Sequence, residues 1–167
     1  GYHVLEVDGV DLAVRYKAAG HPADHQMRIV FDVAHHALGD KLLRDFRPGE
    51  LVDGRLTVDE VPAADVYVNL FDGGPRSKVE ISVADRAPVV MTRVFRVDPS
   101  TDELLRRNVA TVKPWVEPSA SSHLFVADLP DDLEPGTYTV TARAVDEFER
   151  VHHAHWVLEV LGSSALP

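Results

Sequence analysis

The 167-residue sequence contains no cysteine. This absence excludes disulfide bonds, thiolate nucleophiles and cysteine-ligated zinc, so histidine and carboxylate side chains are the strong metal ligands that remain. A protein without cysteine is compatible with oxidising and reducing surroundings alike. The composition therefore does not determine the cellular compartment, and export as part of a longer protein is compatible with it.

Basic residues are scarce as well. The 17 lysines and arginines stand against 27 aspartates and glutamates, which gives a formal net charge of −10 at pH 7. Binding to nucleic acid depends largely on neutralising phosphates with clustered basic residues, and anionic membrane surfaces attract polybasic segments for the same reason. We therefore expect no nucleic acid and no membrane among the partners.

Long apolar runs are also missing. No run approaches the roughly 18 residues of a membrane-spanning helix, and the first residues lack the features of a signal peptide, so we expect a soluble protein. The chain begins without methionine, which suggests a segment of a longer polypeptide. Its length suffices for one buried core, and we expect a single domain over residues 1–162 with a tail over 163–167.

What the sequence does contain is a series of short segments rich in β-forming residues. Leu12, Val14 and Tyr16 alternate with Ala13, Arg15 and Lys17 after the turn dipeptide Asp8-Gly9, which predicts an N-terminal β-hairpin. Further strands are predicted at 26–33, 55–58, 65–71, 78–83, 89–95, 122–128, 137–145 and 151–161. The three segments from 65 to 95 read as one meander, and the last two as an antiparallel pair.

Helical signals are few and fall between the strands. Apolar spacing indicates a short helix over 34–46. A capping box formed by Ser100 and Glu103 indicates a second short helix, which begins at that capping box. Strands without regular alternation with helices predict an all-β, antiparallel sandwich of the immunoglobulin or fibronectin III type, with the N-terminal hairpin and one or two short helices in loops.

Two aromatic residues have expected places in such a sandwich. Tyr138 follows the Pro135-Gly136 turn and fits a tyrosine corner, in which the phenol hydroxyl bonds to upstream backbone. Trp115 lies in a loop rich in proline and serine, and we expect its indole to be buried.

Three of the nine histidines lie on the last predicted strand. Because side chains alternate across a strand, His153 and His155 share one face and His152 takes the other. A carboxylate from a neighbouring strand would be needed to complete a zinc or nickel site with His153 and His155, and nothing in the spacing supplies it. We expect these histidines to be exposed or half-buried sheet residues and no metal site to form.

Other motifs with possible chemistry have simpler interpretations. Ser121 and Ser122 precede His123, but neighbouring side chains on a strand point to opposite faces and cannot pair as nucleophile and base. The acidic pairs Asp131-Asp132 and Asp146-Glu147 contain calcium-binding groups, and they are also what solvated turns contain. We expect no catalytic and no cofactor-binding residue in this chain.

Several strings occur in a characteristic order along nearly the whole chain. They are Tyr16 to Gly20, Pro22 to Arg28, Asn69 to Gly73, Met91 to Arg93, Ser121 to Leu124, Asp128 to Pro130, Asp132-Leu133 and Pro135 to Thr137. Together they resemble the C-terminal domain of bacterial calcineurin-like phosphoesterases. The sequence departs from that pattern at Phe125, where such domains often carry Trp, and at Glu149, where the last turn usually holds Gly.

The resemblance implies a parent polypeptide whose upstream catalytic domain hydrolyses phosphate esters with a pair of divalent metal ions. The chain described by this sequence would then be an accessory domain without a cofactor of its own. Its expected partner is that upstream domain, and a homo-oligomer is a further possibility.

The catalytic pattern of that family is absent from this chain. Gly39-Asp40 is not followed three residues later by a second Asp, and His35-His36 are not part of an Asp-x-His motif. Gly-Asn-His and Gly-His-x-His do not occur either, so the metal-binding set of a di-metal phosphoesterase is incomplete.

Two alternatives stay open at the level of sequence. The first is a stand-alone binding module for carbohydrate or protein, which an exposed Trp115 beside other aromatic residues would favour and a buried Trp115 would oppose. The second is an independent metal enzyme, which would require His153 and His155 to converge with a carboxylate.

Overall fold

The computed structural model describes residues 1–33 and 54–163. The strands in this part of the chain are β1 (Tyr2–Asp8), β2 (Asp11–Lys17), β3 (Met27–Val33), β4 (Arg55–Thr57), β5 (Ala64–Leu70), β6 (Lys78–Val83), β7 (Val89–Val90), β8 (Thr92–Val97), β9 (Ala120–Asp128), β10 (Gly136–Val145) and β11 (Val151–Leu161). A 3-10 helix spans Val61–Ala63, and the α-helix α1 spans Pro99–Arg107. The predicted helix over 34–46, with His35, His36 and Gly39-Asp40, lies outside the described residues.

The strands form two sheets and a separate hairpin. One sheet has the order β3-β5-β9-β8 and the other the order β4-β11-β10-β6-β7, while β1 and β2 pair with each other. Most neighbours are antiparallel, and β4 pairs with β11 in parallel. The predicted all-β sandwich with an N-terminal hairpin is confirmed, and so is the antiparallel pairing of the last two strands.

The core lies between the two sheets and follows the period-two alternation of the strands. Phe31 and Val68 face it from one sheet, and Ile81 and Ala142 face it from the other. These side chains are almost completely removed from water, which is the dominant favourable contribution to folding. The position of the core explains why the sequence signals for strands were strong.

The meander predicted over 65–95 is wrong. β5 belongs to one sheet and β6 to the other, and the predicted strand over 89–95 divides at Met91, where the chain crosses between sheets. Met91 is buried, and its backbone N–H donates to the carbonyl of Val79 at 2.9 Å. A buried apolar residue at a sheet crossing has the same sequence signature as one inside a strand.

The helix predicted near residue 100 is confirmed, but its capping residue lies two positions earlier than the sequence predicts. Asp98 is the capping residue, since its Oδ1 accepts from the backbone N–H of Ser100 at 2.9 Å. Pro99 then occupies the first helical position, where its missing N–H is harmless. The capping role assigned to Ser100 is therefore wrong.

The tyrosine corner is confirmed. The hydroxyl of Tyr138 donates to the carbonyl of Glu134 at 2.8 Å, across the turn that leads into β10. The ring packs against the edge of the core. Among the described residues, no helix has the length and apolar character needed to cross a membrane.

Candidate functional site

The histidines of β11 alternate across the strand as expected. His153 and His155 are exposed on the outer face of the sheet, and His152 is half-buried on the other side. His155 Nδ1 lies 3.0 Å from Thr141 Oγ1 on the neighbouring strand β10. The hydrogen-bond partner of His155 is thus a hydroxyl.

Arg143 lies directly opposite His153 in the β10–β11 register. Arg143 Nη1 is 3.2 Å from Glu80 Oε1 on the next strand, β6. The carboxylate closest in register to the histidines is therefore paired with an arginine that lies between them. Within residues 1–33 and 54–163, no three His, Asp or Glu side chains are close enough to hold a metal ion.

Asp146 is the charged group with the most hydrogen bonds among the described residues around β10 and β11. Its Oδ1 accepts from the backbone N–H groups of Phe148 and Arg150 at 2.8 and 2.9 Å. Its Oδ2 accepts from Arg150 Nε at 2.7 Å and contacts His152 Nε2 at 2.9 Å. The side chain is only 2% exposed, so this carboxylate organises the turn between β10 and β11 from inside.

Two opposing effects act on the pKa of Asp146. Burial disfavours the charged carboxylate and raises the pKa, while hydrogen bonds from His152 and from the backbone of Arg150 and Phe148 lower it. The hydrogen bonds prevail, and the pKa of Asp146 lies below its ordinary value. The group is therefore a structural anion rather than a proton donor near neutral pH.

Asp146 also determines how the N-terminal hairpin is attached, because it positions Arg150. Arg150 Nη1 donates to the carbonyl of Val14 on β2 at 2.8 Å. Other contacts hold the same end of the hairpin: Tyr16 with the ring of Phe71 at 5.2 Å, the Tyr16 carbonyl with Gln26 Nε2 at 2.9 Å, and His3 with Asp72 at 3.0 Å. The base of the hairpin is thus fixed to the sandwich.

The other end of the hairpin is apolar and exposed. Register places Leu5 opposite Val14 and Val7 opposite Leu12, so these side chains share one face with Tyr16. Leu5, Val7 and Leu12 are 62%, 72% and 56% exposed, and Val10 in the turn is 99% exposed. We call these four residues, Leu5, Val7, Val10 and Leu12, the distal hairpin face. Hydrogen bonds and ring contacts between β1 or β2 and the described sandwich involve His3, Val14 and Tyr16 but none of these four.

Arginines engage three of the four carboxylates considered as calcium ligands, namely Asp132, Asp146 and Glu147. Glu147 Oε2 lies 2.7 Å from Arg76 Nε, and its other oxygen accepts from the backbone N–H of Arg76 at 2.6 Å. Asp132 Oδ1 lies 2.6 Å from Arg86 Nη1. Each arginine lowers the pKa of its carboxyl partner. These carboxylates hold loops together, and no described cluster of them surrounds an ion-sized space.

The serines beside His123 do not form a nucleophile and base pair. Ser121 Oγ accepts from the backbone N–H of His123 at 3.2 Å, and His123 Nδ1 bonds to the carbonyl of Gly73. The imidazole thus links β9 to the loop after β5 and has no hydroxyl within hydrogen-bond reach among its described contacts.

Trp115 is 75% exposed, so the expectation that its indole is buried is wrong. The space between the sheets is filled by strand residues such as Phe31 and Phe125, which leaves the proline-rich loop outside the core. Lys113 Nζ lies 5.5 Å from the centre of the indole ring. No other aromatic ring among the described residues stacks on Trp115.

A groove of about 730 Å³ runs along the outer face of β4, β11 and β10. Its lining comprises Arg55, Thr137, Thr139, His155, Trp156, Val157 and Glu159. Arg55 and Glu159 form an ion pair at 2.9 Å across its floor. The groove combines apolar surface from Trp156 and Val157 with the hydroxyls of Thr137 and Thr139.

Sequence reasoning missed the two features that organise this end of the molecule. The sequence predicts Asp146 as a turn residue and His152 as a strand residue but not the contact between them, although an Asp and an Arg that flank a hairpin turn, as Asp146 and Arg150 do, are spaced to bond across it. Alternation predicts which side chains of the N-terminal hairpin share a face, but it does not predict what covers that face.

Comparisons with known proteins identify relatives of the chain. A model of the family described as "C terminal of Calcineurin-like phosphoesterase" matches residues 1–152. No curated protein matches. Among solved structures, CopC from Methylosinus trichosporium OB3b is similar over 69% of this chain and 89% of that chain, with 13% sequence identity and a TM-score of 0.38, which is too low to carry an argument. The family match spans most of the sequence and confirms the resemblance: the chain belongs to the family of C-terminal domains of calcineurin-like phosphoesterases.

Proposed function

We propose that this chain is a non-catalytic domain that packs on the upstream catalytic domain of a calcineurin-like phosphoesterase. In that position it shapes the catalytic cleft or fixes the assembly of the enzyme. The catalytic domain carries the pair of divalent metal ions and performs phosphate ester hydrolysis. The observation that carries the proposal is the family match over residues 1–152.

The contacts of the charged side chains support this role. Asp146, Glu147 and Asp132 are each engaged by arginine side chains that hold a turn or a loop. Glu80 is paired in the same way on the surface of the sheet. Side chains whose hydrogen bonds are used in structure are poorly placed to bind a substrate or to transfer a proton in a reaction.

The test compares the full parent polypeptide with the isolated chain and with a polypeptide that lacks it. We expect the isolated chain to give no turnover of bis(4-nitrophenyl) phosphate with added Mn²⁺. We expect removal of the chain to lower the thermal stability, the activity or the oligomeric order of the remaining enzyme. Turnover by the isolated chain, or a truncated enzyme that is unchanged in all three properties, would contradict the proposal.

The exposure of Trp115 favours a second candidate, a binding module for carbohydrate or protein. An exposed indole next to a loop rich in proline offers a flat apolar surface, although no second aromatic ring stacks on it within the described residues. The groove beside Trp156 is the other surface suited to a sugar.

The chain contains two tryptophans, so fluorescence can assign a binding event to one of them. Neutral oligosaccharides are titrated into the wild type and into the Trp115→Ala and Trp156→Ala variants. A saturable change that disappears in only one variant would support the second candidate and locate its site. An unchanged emission spectrum at millimolar sugar would leave the accessory-domain proposal without this competitor.

A further inference from the structure

We propose that the distal hairpin face, formed by Leu5, Val7, Val10 and Leu12, is the surface through which this domain docks on the upstream catalytic domain of the same polypeptide. The inference rests on the proposed function and adds to it the contact surface. It starts from the exposure of these four aliphatic side chains, which ranges from 56% to 99%.

The hairpin is amphipathic, with one apolar face and one charged face. The face opposite the apolar one carries Glu6 and Arg15, which form an ion pair, and it is suited to water. In the part of the chain that the structure describes, the apolar face contacts the sandwich at its base, where Tyr16 meets Phe71 at 5.2 Å. A ribbon of two strands is marginally stable in water by itself, so an uncovered apolar half indicates a missing contact.

The covalent connection favours the upstream domain as the occupant. A domain that precedes this chain is joined to it at β1, the strand that carries Leu5 and Val7. Such a tether gives an effective concentration of roughly millimolar, so that a small apolar contact is occupied although it would be too weak between separate molecules.

Size and charge both disfavour a second copy of the chain. A standard interface between separate proteins buries about 800 Å² on each partner, and four aliphatic side chains supply only part of that area. Two copies would also bring together two domains with a formal net charge of −10 each. Like charges of that size oppose association unless the contact is extensive.

Hydrogen–deuterium exchange tests the assignment. Exchange of the amides in residues 1–17 is measured in the full parent polypeptide and in the isolated chain. We expect exchange of the hairpin to be at least about tenfold slower in the full polypeptide, because docking suppresses opening of the ribbon.

Matched variants separate docking from strand stability. The double variant Leu5→Thr with Val7→Thr keeps side chains suited to a strand and removes apolar contact, so the protection should be lost in the full polypeptide. The control is Val89→Thr with Val90→Thr on β7, whose side chains are 54% and 76% exposed, and it should leave the protection unchanged. The isolated chains report whether either variant disturbs the hairpin itself.

Each other outcome contradicts a different statement. If no part of this chain gains protection in the full polypeptide, the proposed function fails together with the docking surface. If protection appears elsewhere, for example around Trp115, the proposed function stands and the hairpin assignment is wrong. If hairpin protection depends on protein concentration, the occupant is a second copy and the inference is overturned.

Discussion

At the scale of single residues, we expect Asp146 to contribute most to the stability of the fold. Its buried carboxylate accepts bonds from the backbone of Phe148 and Arg150 and from the side chain of Arg150. A hydrogen bond to a charged group contributes about 1.5 to 3 kcal/mol to the free energy of unfolding, and this contribution is lost when the charged group is removed. Loss of the charge therefore weakens both the turn and the Arg150 contact to the hairpin.

The first prediction concerns Asp146→Asn and its dependence on pH. Because the folded-state pKa is lowered, the stabilisation is fully present above the unfolded pKa and is lost as the pH falls through the folded pKa. We expect the variant to be about 2 kcal/mol less stable near pH 7 in urea unfolding, with the difference shrinking below about pH 4. The exposed Asp132→Asn serves as control, and its loss of stability should be much smaller, because water screens an ion pair on the surface. A difference that stays constant between pH 7 and pH 3 would contradict the assignment.

Glu149 is another single residue that affects stability, because its backbone conformation is strained. It has a φ of 63°, and the non-glycine residues with positive φ that are described also include Ala84. The position closes the three-residue loop between Asp146 and Arg150, where a left-handed residue is required. The departure from the glycine that is usual in the family therefore leaves the hairpin geometry intact and carries strain.

The second prediction is that Glu149→Gly stabilises the domain. Left-handed backbone costs an L-residue about 1 to 2 kcal/mol, and glycine loses about 0.4 to 1 kcal/mol through its freedom in the unfolded chain. The net gain should raise the melting temperature by about 2 °C. Glu149→Ala removes the same carboxylate but keeps the strain, so it should give no increase. An equal rise in both variants would assign the effect to charge.

At the scale of elements, the tyrosine corner joins the turn after Glu134 to the start of β10. The third prediction is that Tyr138→Phe lowers the free energy of unfolding by about 0.5 to 1.5 kcal/mol, since it deletes one hydrogen bond and keeps the ring. Tyr2→Phe on the exposed hairpin is the matched control and should have no effect in urea unfolding. Equal free energies of unfolding for the wild type and the Tyr138 variant would show that the hydrogen bond of the corner does not stabilise the fold.

The elements also show what sequence reasoning could and could not reach. Alternation located β6 and β11 to the residue and put His153 and His155 on one face, because a sheet imposes that period on any strand. It could not assign strands to sheets, so the crossing at Met91 was missed. It could not place Arg143 between His153 and Glu80 either, since register across strands is a tertiary property.

At the scale of the whole molecule, charge and apolar surface act in opposite ways on association. The formal net charge of −10 disfavours contact with another acidic surface, while the distal hairpin face favours contact with an apolar one. Exposed ion pairs such as Arg15 with Glu6, on the opposite face of the hairpin, are weak in water. The interdomain contact should therefore be apolar in character.

The fourth prediction follows from that balance and concerns ionic strength. Added salt shortens the Debye length from about 10 Å at 0.1 M to about 3 Å at 1 M, which weakens contacts made by exposed charges but leaves apolar burial intact. We expect the protection of residues 1–17 in the full parent polypeptide to be unchanged or stronger between about 0.1 and 1 M NaCl. The isolated chain over the same range reports salt effects on the hairpin alone. A steep loss of protection in the full polypeptide only would mean that charged groups hold the domains together, and the distal hairpin face would then lie outside the interface.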